Sequence, residues 1–383
     1  METGNVLVIG NSGVGKSTLI NSVLGIENAK TGYGISGTTN ELEIYESDSV
    51  PFRVIDTIGF EPTFFKEQKA INAVKKWSKG SVKEGQEEKQ INVIWFCVDG
   101  TSRKLFPKTI QSLSRATSIW KSVPVIVVIT KSYSVPERKE NIEMVQAAFA
   151  AQKRYAKNLK KIIPVVASTF KLNDTAFAGP EGIMELIDAT NDLMPEGLQA
   201  GTEDIANFKL SRKRYLCQGI IGVATTSGTV VGAVPISIAD AVILKPIEIT
   251  EINAIAKVYG IKNDQQTKKF FNSIIEVGTV SIAAKTAIAA LKNIPGINIG
   301  ASILNAIIAG SIIAAIGEGT TYIFEQIYLG KRSFEDIDWV TKVLQSKLSN
   351  EFIDKVKTII SKAGNQTDSK KTANLISDIF NND

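Results

Sequence analysis

Histidine is absent from this chain of 383 residues. That excludes Ser-His triads, imidazole general bases and most zinc sites together. Cysteine is scarce: Cys97 and Cys217 stand far apart, and neither has a neighbour at metal-ligand spacing. They read as two buried thiols in a reducing, cytoplasmic compartment. A dominant charge is lacking as well. The net charge of +5 is small and evenly spread, so no nucleic-acid partner is expected. No secretory leader is expected either, because an apolar strand opens within a few residues of Met1.

What is present suffices for a large core. Hydrophobic residues make up 44% of the chain, and its length suggests two or three domains. The most informative stretch is Gly10-Asn11-Ser12-Gly13-Val14-Gly15-Lys16-Ser17, which fits the phosphate-binding pattern G-x-x-x-x-G-K-[ST]. Asn5–Ile9 before it reads as a buried strand, and Thr18–Leu24 after it reads as a helix ending at Gly25. The alternative, a chance glycine-rich turn, does not require that strand–loop–helix context. Glycines let backbone N–H groups approach phosphate oxygens closely. Lys16 would reach the β and γ phosphates, and the Ser17 hydroxyl would ligate Mg²⁺ at a helix N-terminus. Residues Asn11 through Thr18 are therefore the candidate nucleotide ligands.

A Gly/Thr-rich segment, 28–40, follows and contains Thr38 and Thr39. A threonine there could close onto Mg²⁺ and the γ-phosphate, or the segment could be a plain polar loop. Strand-like Leu42–Tyr45 and Phe52–Ile55 lead to Asp56-Thr57-Ile58-Gly59. An Asp at a strand tip beside the phosphate loop suits the Mg²⁺ shell, and Gly59 lets a backbone N–H turn toward a γ-phosphate. Beyond a charged loop at 79–89, Ile91–Val98 and Val123–Ile129 are apolar strands of the doubly covered kind. A basic amphipathic helix is expected over 136–159, a last strand over 162–166 and a closing helix over 182–193. The order predicts an α/β, doubly wound, mostly parallel six-stranded sheet.

These motifs, in this order, resemble the small GTPase superfamily, in particular its Era-like, septin and immunity-type members. The likeness covers about residues 1–195, and residues 1–198 are expected to form the G domain. It implies GTP/GDP and Mg²⁺ as ligands, with metal contacts from Ser17, Thr39 and Asp56 and with Lys16 and Thr39 as the catalytic residues. Thr38 and Gly59 would line the phosphates. Thr130 and Lys131 would form the fourth motif, with the lysine stem along the purine plane, and Ala167 would face the base's exocyclic oxygen. Two departures stand out. The family's fourth motif ends in an Asp that accepts from guanine N1 and N2, where this chain has Tyr133. Phe60 follows Gly59 in place of a water-orienting Gln, so slow turnover is expected without an added charge or self-association through the G domain.

Residues 199–383 change character and are expected to be all-α. Two runs, 216–239 and 293–317, carry no charge, and 334–360 repeats apolar residues at helical spacing. The region from about 215 to 330 resembles the YcjF-like helical domain found behind bacterial GTPase domains. Both runs are long enough to cross a bilayer, yet the lysines between them disfavour translocation. Buried helices of a soluble bundle and membrane insertion both remain open. The resemblance implies a nucleotide-dependent switch or assembly protein whose helical part meets a protein partner or a membrane. Alternatives are a membrane-remodelling dynamin-like GTPase and an NTPase of relaxed base specificity.

Overall fold

A computed structural model describes residues 3–25, 30–31, 42–46, 51–57, 90–102, 110–111, 122–152, 156–233, 244–277, 286, 288–291, 299–364 and 367–380. The sheet strands are β1 (Gly4–Ile9), β2 (Lys30–Thr31), β3 (Leu42–Glu46), β4 (Phe52–Thr57), β5 (Ile91–Asp99), β6 (Val125–Thr130) and β7 (Leu159–Pro164). The continuously apolar runs of β1, β5 and β6 are buried on both faces. They join in one sheet in the order β2-β3-β4-β1-β5-β6-β7. All pairs from β4 to β7 are parallel, while β3 runs antiparallel to β4. The expected sheet is thus present, extended at one edge by the two-residue β2.

Helix α1 (Lys16–Leu24) follows β1, α2 (Val135–Ala150) follows β6 and α3 (Ile183–Leu193) follows β7. Leu7, Ile94, Phe96, Val127 and Phe149 form part of one core. Phe52 meets Trp95 edge-on at 5.7 Å. The indole N–H of Trp95 donates to Thr190 Oγ1 at 2.9 Å, which satisfies the one polar atom of a fully buried ring. Helix α2 ends earlier than its periodicity suggests. Asn158, just before β7, donates to the carbonyl of Val123, and β7 starts at Leu159 rather than Ile162. Exposed Lys160 and Lys161 had masked that strand's first half.

The remaining elements are β8 (Phe170–Lys171), β9 (Phe177–Ala178), α4 (Thr202–Gly232), α5 (Lys245–Tyr259), α6 (Lys268–Val277), α7 (Ala301–Tyr328), α8 (Ile337–Lys347), α9 (Asn350–Ala363) and α10 (Ser369–Phe380). The chain divides into two compact units: 1–168 with 181–212, and 169–180 with 213–383. The boundary expected at 198/199 lies just before α4, and the two compact units divide inside that helix, between Arg212 and Lys213. The second unit contains the β8–β9 hairpin, closed by Leu172 and Asn173 N–H groups on the Ala176 carbonyl.

In the second unit α5, α8 and α10 pack along α7. Small residues set the α4–α7 seam. A Cβ on Gly232 would stand 2.5 Å from Ala309 Cβ, and one on Gly310 would stand 2.5 Å from Thr229 Cγ2. Helix α7 is long and apolar enough to cross a membrane by length and composition, and 67% of its most apolar window is buried. The uncharged run 216–239 occupies the end of α4, with 234–239 outside the described residues. The amphipathic stretch 334–360 forms two helices, not one, because Ser349 is extended and starts α9. Its apolar face survives the break: Val340, Leu344, Leu348, Phe352 and Val356 are all buried. Residues from Ser369 form the last helix, α10.

Candidate functional site

The phosphate loop leaves β1 at Gly10, where no side chain fits: a Cβ would lie 2.6 Å from the Cys97 carbonyl on β5. Gly13 and Gly15 adopt φ of 78° and 100°, the left-handed region that favours glycine. Gly15 then caps α1. Lys16 is 9% exposed, and its ammonium donates to the carbonyls of Gly10 at 3.0 Å and Asn11 at 3.4 Å. The cation therefore sits over the loop at the positive end of a helix, a setting that attracts phosphate. Asn11 is half-buried and Val14 buried, while Ser12, Ser17 and Thr18 are exposed around it.

Asp56 is buried on β4, directly opposite Val8 of β1 in the parallel register. The sheet thus brings its carboxylate to the strand ends beside the loop. Ser17 and Asp56 offer hard oxygen donors, the chemistry Mg²⁺ requires. Among the described residues, no three His, Cys, Asp or Glu side chains form a metal cluster. Thr38, Thr39, Gly59 and Phe60 lie outside the described residues. Cys97, beneath the loop, is fully buried. Burial pushes its thiol up to about 12 despite Lys16 nearby, so it is an inert core residue.

The fourth motif is tied to the loop by its own side chains. Thr130 Oγ1 lies 2.5 Å from the Val14 carbonyl and 3.0 Å from that of Val98, so one hydroxyl bridges loop and sheet. Lys131 has φ of 54° and sends its ammonium to the Gly13 carbonyl at 2.8 Å. The same ammonium meets Asp99 Oδ2 at 2.7 Å. Tyr133 is half-buried. Burial raises its phenol, Lys131 opposes this and Asp99 adds to it, so the ring stays neutral. The fifth motif follows β7. Val166 and Glu181 exchange N–H···O bonds of 3.0 and 2.9 Å, and the Ser22 hydroxyl donates to the Ala167 carbonyl at 2.5 Å.

Three residues here carry no motif in the sequence: Asp99, Arg138 and Glu181. Asp99 had a signal, since Val98-Asp99-Gly100 puts an acid and a turn glycine at the tip of a strand. The other two had none, being 43 residues apart in sequence.

Residues 5–131 match the family described as 50S ribosome-binding GTPase. Cell division control protein 10 of Saccharomyces cerevisiae is 29% identical over 169 residues, or 38% of this chain. The match spans 52%, about half, of that relative's length. Among solved structures, Era from Aquifex aeolicus bound to GDP and AlF4⁻ is 21% identical, with a TM-score of 0.30. It covers 59% of this chain and 67% of its own. The LeoA bacterial dynamin GTPase from ETEC is 11% identical over 98% of this chain and 89% of its own, with a TM-score of 0.31. The glycine loop with its buried lysine, the Asp at the tip of the neighbouring strand and the family match over 5–131 give one conclusion: the first unit of this chain is a P-loop GTPase domain.

Proposed function

We propose that the chain binds GTP and hydrolyses it in the first unit, and that the second unit couples the nucleotide state to a protein partner or a lipid surface. The observation that carries the first half is the Lys16 ammonium held inside the glycine loop, with Asp56 on the strand next to β1, opposite Val8. Phosphates would be cradled by residues 11–18, with Lys16 countering their charge and α1 contributing its dipole. Ser17 and Asp56, joined by Thr39, would hold Mg²⁺, which would supply positive charge against the phosphates. Thr130 and Lys131 keep the loop in shape from the base side. Phe60 has no polar group with which to orient water. Turnover is therefore slow in a monomer, and pairing of two G domains would raise it.

The reading of the second unit as conditionally lipid-binding is supported by α7, whose apolar length is covered by α5, α8 and α10 in the same unit. The protein would be cytoplasmic, moving to the membrane's inner face when GTP exposes part of that length. A ligand can drive such a change only by binding one state better.

Two measurements test the proposal. Binding of fluorescent GTP, GDP and ATP should show a purine triphosphate site that needs Mg²⁺, with GTPase specific activity rising with protein concentration. Fast, concentration-independent turnover would defeat the self-association reading. Liposome flotation should increase in the GTP-analogue state over GDP. Carbonate-resistant protein in every state would mean true membrane spans, and no flotation in either state would leave a protein partner as the target.

A further inference from the structure

The loops after β6 and β7 are fastened into one ring. Ser132 N–H donates to the Val165 carbonyl at 3.1 Å, and its hydroxyl donates to Ile129 at 2.7 Å. Across from it, Val166 and Glu181 are bridged through their backbones. Arg138, in the first turns of α2, closes the gap. Its Nε donates to the Ser132 carbonyl at 3.0 Å, and its two terminal nitrogens donate to the two Glu181 oxygens at 2.7 and 2.9 Å. A bidentate fork of this kind fixes angle as well as distance. The ring holds the two segments that the nucleotide reading assigns to the base, Tyr133 and Val166–Ser168. It includes no residue of the phosphate loop.

Two circumstances make this fastening consequential. Tyr133 supplies no carboxylate, and the acids that bond to cations of this region, Asp99 and Glu181, already face Lys131 and Arg138. Recognition of a base then falls to main-chain groups, which are directional only when the chain bearing them is held. That chain is also interrupted, because residues 169–180 depart after Ser168 to join the second unit and return at Glu181. Without Arg138, backbone bonds alone would hold these segments, and no side chain would tie the Ser132 carbonyl to Glu181.

We propose that Arg138 and Glu181 are positioning residues for the nucleotide's base, holding the Tyr133 loop and the Val166–Ser168 loop as a single wall. The proposal rests on the nucleotide-binding reading above. Its test compares GTP with inorganic tripolyphosphate, which has phosphates but no base, each titrated with Mg²⁺ into the full chain. R138A and E181Q should weaken GTP about tenfold or more, since small misplacements of contact groups carry large penalties. Tripolyphosphate should stay within about twofold, as bidentate arginine pairing acts on the base side alone. R138K, which keeps the charge and a donor at that position, should recover part of the GTP affinity that R138A loses. GTP affinity unchanged in folded variants would overturn the proposal. So would equal loss of both ligands without rescue, which marks a merely structural pair. Near-isosteric E181Q decides the matter if R138A fails to fold. Wild type that binds neither ligand removes the nucleotide reading and this one with it, whereas wild type and variants binding both alike removes this one alone.

Discussion

Lys131 and Asp99 form an ion pair of 2.7 Å that joins the tips of β6 and β5, and the same ammonium reaches back to Gly13. One cation thus ties the phosphate loop to the sheet from the base side. Burial works against the Asp99 charge, but Lys131 and the N–H and hydroxyl of Thr101 overcome it and hold the carboxyl below its usual range.

Asp99→Asn should therefore loosen the loop and weaken nucleotide binding by about fivefold, the scale of a partly exposed ion pair. The pH signature has a definite sign. A depressed carboxyl contributes stability above its unfolded value, about pH 3.9, that is lost as pH falls through the lower folded value. The stability gap between wild type and the variant should be full at neutral pH and close in acid. Thermal melts from pH 7 to pH 3 check this, and a gap that widens in acid would contradict it.

Lys16→Ala should lower affinity for GTP and for tripolyphosphate by about a hundredfold or more, since it removes charge-assisted bonds to phosphate. Among the described residues Lys16 bonds to loop carbonyls at 3.0 and 3.4 Å, so the melting temperature should barely move. Isothermal titration together with a thermal melt measures both. Unchanged affinity would sink the phosphate-loop reading.

Base selectivity should respond to Tyr133→Asp. The neutral phenol cannot act as a paired charged acceptor, and each hydrogen bond to a charged group contributes about 1.5–3 kcal/mol. The variant should bind GTP tenfold or more tightly relative to ATP and XTP than wild type does. Competition titrations with the three nucleotides decide it. Wild type that already excludes ATP and XTP by many orders of magnitude would mean another residue supplies the acceptor.

The parts legible in the sequence are those with a local signal. β1, β5 and β6 read as strands because both faces are buried and the runs are continuously apolar, and the glycine loop fixed its own surroundings. β7 was legible only in its second half, since Lys160 and Lys161 at its start break the apolar run. The break after 347 depends on one residue, Ser349 adopting an extended conformation, and Asn158 just before β7 bonds Val123 across the sheet edge. The clasp of Arg138 and Glu181 depends on the sheet's assembly, which no window of sequence contains.

The second unit carries its own pH response. Glu251 on α5 is fully buried against Gly317 of α7, and neither carboxylate oxygen has a hydrogen-bond partner among the described residues. Burial, with Glu248 and Glu318 adding to it, pushes its carboxyl well above the usual range. The folded unit keeps that proton while the unfolded chain releases it above about pH 4.3. Stability should therefore fall as pH rises from there, by up to about 1.4 kcal/mol per pH unit. Glu251→Gln should flatten this slope and melt higher than wild type at neutral pH. Equal slopes for the two proteins in denaturant titrations between pH 5 and pH 8 would refute it.

The hairpin at 169–180 bears on how this molecule can be divided. Its Gly179 lies so close to α5 and α4 that a Cβ there would stand 2.7 Å from Ala254 Cβ and 3.7 Å from Ile220. A chain cut after residue 212 would keep the hairpin but lose α5 and the part of α4 that bears Ile220. The complementary fragment from 213 onward would lack the hairpin and present bare Ala254 instead. No single scission yields two intact halves. Separating them requires replacing 169–180 with a short turn from Ser168 to Glu181, so the two units are interleaved along the chain and not strung in tandem.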